Sequence, residues 1–250
     1  MTTSKQSDTT EKVTQPSNQS PLTRKQKIWK GFKIALKIIG YAHLALIIIV
    51  AIYSIVYINF NPRRTSLMLY RAGYSFGAVK KTSYIPLQKV SGTFQLDLIN
   101  LEDGRFKEHW GFDIKAMQEA YEKNKKAGYH AFGGSTLTQQ LARTLFLTPH
   151  KSYFRKYLEL IIAFEMEIIL GKDRILELYI NYAELGKGVY GFNDAALHYY
   201  KKPFANTTAD QKIRLLTILA SPIRYSPSTF NKNRRLANRY KFIYKYHKYH

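Results

Sequence analysis

The sequence predicts a mostly α-helical domain that follows a single membrane-spanning helix. Three observations point there. The run Ile38 to Phe60 holds 23 residues without Asp, Glu, Lys or Arg. Beyond it, apolar residues recur at intervals of three and four rather than alternating. Ser, Thr or Asp stands ahead of most of those runs, where helix N-caps belong.

Taken in order, residues 1 to about 22 are rich in Ser, Thr, Gln, Asn and Pro, a composition that favours disorder. With the basic residues that follow, positions 1–33 read as a disordered, basic cytoplasmic segment. The membrane helix is expected over 34–60. Its 23-residue uncharged run would extend roughly 34 Å as a helix, against about 30 Å for a bilayer core. Tyr41, Tyr53 and Tyr57 stand near its ends, as interfacial aromatics do, and His43 reads as an incidental interfacial polar group. The run is too long for a cleaved signal peptide, and no small-x-small site follows it. Arg24, Lys25, Lys27, Lys30, Lys33 and Lys37 precede the span, whereas only Arg63 and Arg64 follow closely. The positive-inside rule therefore places the N-terminus in the cytoplasm and the remainder outside. Residues 61–84, punctuated by Gly73 and Gly77, read as a juxtamembrane linker with little regular structure.

The domain proper is expected over 85–250. Ser91 can cap a helix that ends near Leu101. Ser135 or Thr136 can cap the next, in which Leu137, Leu141 and Leu145 recur every four residues. A helix carrying apolar Leu160, Ile161, Phe164 and Ile168 follows, and Asp173 starts another. Gly186, Gly188 and Gly191 then mark a turn. Asp194 lies near the start of the next helix. Thr208 and Gln211 form a capping box ahead of a helix that Pro222 stops. A basic, aromatic helix, about Asn231 to Tyr246, comes last.

Composition limits the chemistry. There is no cysteine, which excludes disulfides, thiolate metal sites and a cysteine nucleophile. The formal charge is +22, and residues 211–250 hold ten Lys or Arg and no acid. Such a surface attracts an anion: nucleic acid, acidic lipid or a phosphorylated substrate. On the outer side of a membrane, lipid or lipid-linked phosphate is the fitting partner and nucleic acid is not. No His-Glu-x-x-His or comparable ligand set occurs, so no structural metal is expected.

Five blocks fall in order: "EDGRFKEHWGF", "GGSTLTQQLARTLFL", "RKYLELIIAFEME", "RILELYINYAELGKGVYGFNDAALHYYKK" and "LASPIRYSP". Each alone is bland. Their order and spacing, over about Ile85 to Arg235, resemble the peptidoglycan glycosyltransferases of family 51, in particular the monofunctional branch. The resemblance implies a lysozyme-like, mostly helical glycosyltransferase domain with a single N-terminal anchor. It implies polymerisation of lipid II into β-1,4 glycan strands, with inversion and release of undecaprenyl pyrophosphate. The implied location is the outer face of a bacterial cytoplasmic membrane. The implied partners are lipid II, the growing lipid-linked glycan, anionic membrane lipid and other cell-wall synthesis proteins.

Site residues follow from the matched positions. Glu102 matches the family's catalytic glutamate, a base for a sugar hydroxyl that is otherwise a poor nucleophile. Asp103 and His109 also match, and structural hydrogen bonding is expected of them. Arg155 and Lys156 match a basic pair suited to a departing pyrophosphate. Arg143 stands where the family usually has Lys, which keeps the charge but replaces a compact ammonium with a planar fork. Glu159 matches a second glutamate that either orients the cations or assists departure. Ser135, Thr136, Gln139, Gln140 and Asn181 are expected to bind substrate, with Tyr179 shaping the cleft. No cofactor is obligatory; a divalent cation, Mg or Mn, at the pyrophosphate fits the resemblance. Two rivals stand beside this reading: a glycan-cleaving enzyme that uses two glutamates, and a non-enzymatic scaffold for anionic lipid. A transpeptidase partner domain is not expected, since no Ser-x-x-Lys or Lys-Thr-Gly element occurs. The basic, tyrosine-rich last helix is expected to dock on lipid headgroups.

Overall fold

The structure is a computed structural model that describes residues 23–128 and 133–249. The expected disorder of the first 22 residues lies outside them. The chain divides into two units, residues 1–45 and 46–250.

The first described stretch belongs to α1 (Arg24–Asn59), which begins ten residues ahead of the expected start at 34. Its apolar window is only 11% buried, whereas a core helix would be mostly buried. It is long and apolar enough to cross a membrane.

Within the second unit, the end of α1 is fixed to the domain. Arg174 donates to the Tyr57 carbonyl at 2.7 Å, the Phe60 carbonyl at 3.1 Å and Asn61 Oδ1 at 2.8 Å. The Tyr182 hydroxyl donates to the Pro62 carbonyl at 2.6 Å. The segment expected to lack regular structure contains α2 (Ser66–Arg71). Thr65 caps it by accepting from the Met68 amide at 3.2 Å, and Leu67 and Met68 are buried. Cap and burial together stabilise a helix too short to show as a periodic run.

Ser91 caps α3 (Gly92–Glu102), as expected. Phe94 on this helix meets Phe192 and Phe204 edge-on, at centroid distances of 4.9 and 4.8 Å. The expectations contained no helix over Ile114–Ala127, yet α4 forms there behind an Asp113 cap and ends at Gly128, in the left-handed region. Thr136 and Gln139 form a capping box on α5 (Leu137–Phe146), which buries Leu137, Leu141 and Leu145 against α6 (Tyr153–Tyr182).

α6 merges the two expected helices, with Gly171 at φ 70° forming the kink between them. Its buried face is not the one the hydrophobic stripe marked. Phe164 and Ile168 are exposed, while Glu159, Ile162, Ala163, Met166 and Glu167 are buried. Two acids on the inward face disguise it, because burial of a charge is favourable only when it is paired.

After α6 the glycine turn becomes a small antiparallel hairpin, β1 (Glu184–Gly186) with β2 (Val189–Tyr190), pairing Glu184 with Tyr190 and Gly186 with Val189. Then come α7 (Phe192–Tyr200) and α8 (Ala209–Ile218), the latter with the expected Thr208–Gln211 capping box. α8 ends at Ile218, ahead of Pro222. The last helix, α9 (Arg234–Tyr249), packs its Leu236 and Ile243 face against α8 and α3.

Candidate active site

α3 ends at Glu102, and this places its carboxylate where α5, α6 and α9 converge. Glu102 Oε2 accepts from Gln140 Nε2 at 3.1 Å, and Oε1 is ion-paired with Arg239 of α9. The Tyr179 hydroxyl donates to Gln140 Oε1 at 2.9 Å, completing a chain from α6 through α5 to the carboxylate. Burial, followed by the negative charge of Glu102, holds the Tyr179 phenol well above its ordinary value. It therefore stays a donor. The Glu102 side chain keeps 12% of its surface accessible, enough for a hydroxyl to reach it.

Asp103 takes the structural role expected of it. It accepts from the Leu137 amide at 2.9 Å and from His109 Nε2, 3.0 Å from both carboxylate oxygens. The first bond fastens the end of α3 to the start of α5. Gly111 lies under the same junction at φ 82°, and a Cβ there would stand 2.6 Å from the Ala163 backbone. Only glycine suits it.

The second acid is differently placed. Glu159 is fully buried and gathers three cations: Arg155, Lys156 at 3.2 Å and Arg143 at 3.6 Å. Lys156 also donates to Ser135 Oγ at 2.7 Å and Gln139 Oε1 at 3.0 Å. Burial pushes the Lys156 ammonium below its ordinary value, against the opposing pull of Glu159. The buried Gln139 Nε2 and Arg155 Nε have no acceptor among the described residues. A further buried acid, Glu167, accepts from Thr138 at 2.6 Å and Lys172 at 2.8 Å, which supports α5 on α6 from below.

Two depressions adjoin the Glu102–Gln140 pair. One, of about 370 Å³, is lined by Glu102, Asp103, Asp113 and Glu119 with Arg105, Lys123 and Ser135. The other, of about 380 Å³, is lined by Gln140 and Tyr179 with Arg143, Lys151, Arg224 and the Arg71–Glu184 pair. One side is rich in carboxylates and the other in cations, with the hydrogen-bonded pair between them.

Of the expected site residues, Glu102, Gln140, Ser135, Thr136 and Arg143 line these depressions, while Arg155 and Lys156 are drawn around Glu159. Three of the residues expected to bind substrate are held by local hydrogen bonds. Asn181 spends its amide on the Ile85 amide and carbonyl, at 2.7 and 2.8 Å, and on the Glu177 carbonyl at 2.8 Å. Thr136 accepts from the Gln139 amide and donates to the Gly111 carbonyl at 2.6 Å. Gln139 is buried in that capping box. These bonds tie all three into the framework around the depressions, while Gln139 Nε2 keeps a donor unused among the described residues. Arg239 is the residue the sequence reading missed. It sits three residues after buried Leu236 and four before buried Ile243. An arginine on the inward face of an amphipathic helix is the signal that could have found it.

Fold and site define a class: a helical glycosyl-transferring enzyme. The chain belongs to the Transglycosylase family, whose model matches residues 71–247. It is 38% identical over 215 residues to a biosynthetic peptidoglycan transglycosylase of Ralstonia nicotianae, covering 84% of this chain and 89% of the relative. A protein of that name from Janthinobacterium sp. is 41% identical over 68% of this chain and 75% of its own. Another, from Dechloromonas aromatica, is 43% identical over 66% and 73%.

Proposed function

We propose that the chain polymerises lipid II into β-1,4 glycan strands of peptidoglycan, with inversion and release of undecaprenyl pyrophosphate. The supporting observation is the position of Glu102, at the boundary between a carboxylate-rich and a cation-rich depression. The acceptor sugar lies on the first side, where carboxylates accept from sugar hydroxyls. The donor's pyrophosphate lies on the second, beside Arg143. Glu102 takes the proton of the acceptor hydroxyl as its oxygen bonds to the donor's anomeric carbon. The bond from that carbon to pyrophosphate breaks on the opposite face, and the electron pair leaves with the phosphate. Attack opposite the leaving group inverts the anomeric centre. Gln140, held by Tyr179, fixes the carboxylate for the transfer.

Glu159 serves as the anchor of the cation cluster. Its carboxylate is fully buried and both oxygens are engaged by cations, so neither is presented to a substrate oxygen. This weighs against the glycan-cleaving rival, which needs a second carboxyl able to protonate a leaving oxygen. The residues present do not suit a protein-held divalent cation. Among the described residues no three His, Cys, Asp or Glu side chains gather, and Glu159 is already balanced. The anchor orientation, N-terminus in the cytoplasm and domain outside, puts the site beside lipid-linked substrate.

The test offers purified full-length chain either lipid II or finished glycan. Polymer from lipid II, with finished glycan left intact, is expected. Cleavage of glycan without polymerisation refutes the reading.

A further inference from the structure

We propose that the cavity between α2 and the β1–β2 hairpin is a seat for the headgroup of an anionic phospholipid that carries both a phosphate and free hydroxyls. This rests on α1 being a membrane span and not on the glycosyl-transfer reading. The cavity holds about 620 Å³, within the range of small-molecule sites. Neither Glu102, Arg143 nor any member of the Glu159 cluster lines it.

Its charge is one-sided. Lys80, Lys81 and Lys187 line it, and none has an ion-pair partner among the described residues. Arg71 at the rim is already spent on Glu184, at 2.8 and 2.9 Å. The floor is apolar, with Met68 and Val189 buried. Lysines above an apolar floor fit an amphiphile that places its phosphate at the rim and its glycerol and first methylenes below.

The surroundings match a membrane interface. Residues 61–90 carry six Lys or Arg and no acid. On this stretch Tyr74 and Phe76 expose 62% and 60% of their surface. Exposed aromatics beside basic residues are characteristic of the headgroup layer. Tyr74 is a non-glycine residue at φ 63°, a conformation that costs free energy.

One acid selects among phosphates. Asp194 lines the cavity, and among the described residues only one of its oxygens is engaged, accepting from the Ser83 amide at 3.0 Å. Its other oxygen can accept from a headgroup hydroxyl. Inorganic pyrophosphate has neither a glycerol hydroxyl for Asp194 nor methylenes to cover the apolar floor, so it gains the lysine contacts alone.

The experiment titrates detergent-solubilised full-length chain with dioctanoylphosphatidylglycerol, dioctanoylphosphatidylcholine and inorganic pyrophosphate. Saturable binding of the glycerol lipid alone is expected. Lys80→Gln, Lys81→Gln and Lys187→Gln should each weaken it roughly fivefold, and the triple variant on the order of 100-fold. These lysines are exposed, so unchanged melting temperature accompanies the loss. Equal binding of the choline lipid, or parent-like affinity in the triple variant, overturns the proposal. Displacement of the lipid by equimolar pyrophosphate also overturns it.

Discussion

Glu159 and Asp113 show how much depends on single charges. Glu159→Gln leaves Arg155, Lys156 and Arg143 facing a neutral amide. Uncompensated buried charge costs roughly 3–5 kcal/mol, so a large drop in melting temperature is expected together with loss of activity. A variant that melts like the parent refutes the cluster's role. Asp113 is held below the ordinary carboxylate value of 3.8 chiefly by the hydrogen bond from Arg105, with burial opposing. Because its folded value lies below its unfolded one, the stabilisation is complete above the unfolded value and disappears as pH falls through the folded value. Asp113→Asn keeps the cap but loses the ion pair. Denaturant midpoints of parent and variant should therefore differ at pH 7 and converge once the pH falls below the lowered folded value of Asp113. At this scale the sequence showed the acids well and their partners poorly. Block order singled out Glu102 and Glu159. It did not single out Arg239, because the three-dimensional meeting of α3 and α9 joins residues 137 apart in sequence.

At the scale of elements, local hydrogen-bond chemistry explains which helices could be read. Ser91, Thr136 and the Thr208–Gln211 pair announced α3, α5 and α8, because a cap is a local interaction. Helix α4 carries an equally good cap in Asp113, but its polar, lysine-rich sequence lacks the apolar run that would mark it. α2 is too short to declare itself. The two capping boxes give a paired prediction. Thr208 is exposed, and Thr208→Ala should cost about 1 kcal/mol, the usual value of a cap. Thr136→Ala loses the same cap and also leaves the buried Gly111 carbonyl without its donor, so it should cost about 1–3 kcal/mol more. Equal losses in chemical denaturation would show that the Thr136–Gly111 bond contributes nothing.

On the scale of the whole molecule, a long apolar helix and a strongly basic domain share one chain. The domain's cation-rich depression adjoins its candidate base. The long apolar helix and its flanking charges were legible because both are matters of composition. The two depressions were not, because they arise from the packing of distant helices. Topology is testable directly: protease added outside intact spheroplasts should digest the domain beyond residue 60 and spare the N-terminal segment. Digestion of the N-terminal segment instead would reverse the orientation.

The central claim is that Glu102 accepts the proton of the attacking hydroxyl. The most direct measurement compares the rate of lipid II polymerisation by the parent and by Glu102→Gln, with substrate binding and melting temperature followed in parallel. Loss of general-base catalysis predicts a rate lower by at least about a hundredfold, with binding and folding retained. Parent-like polymerisation by the folded variant would contradict it.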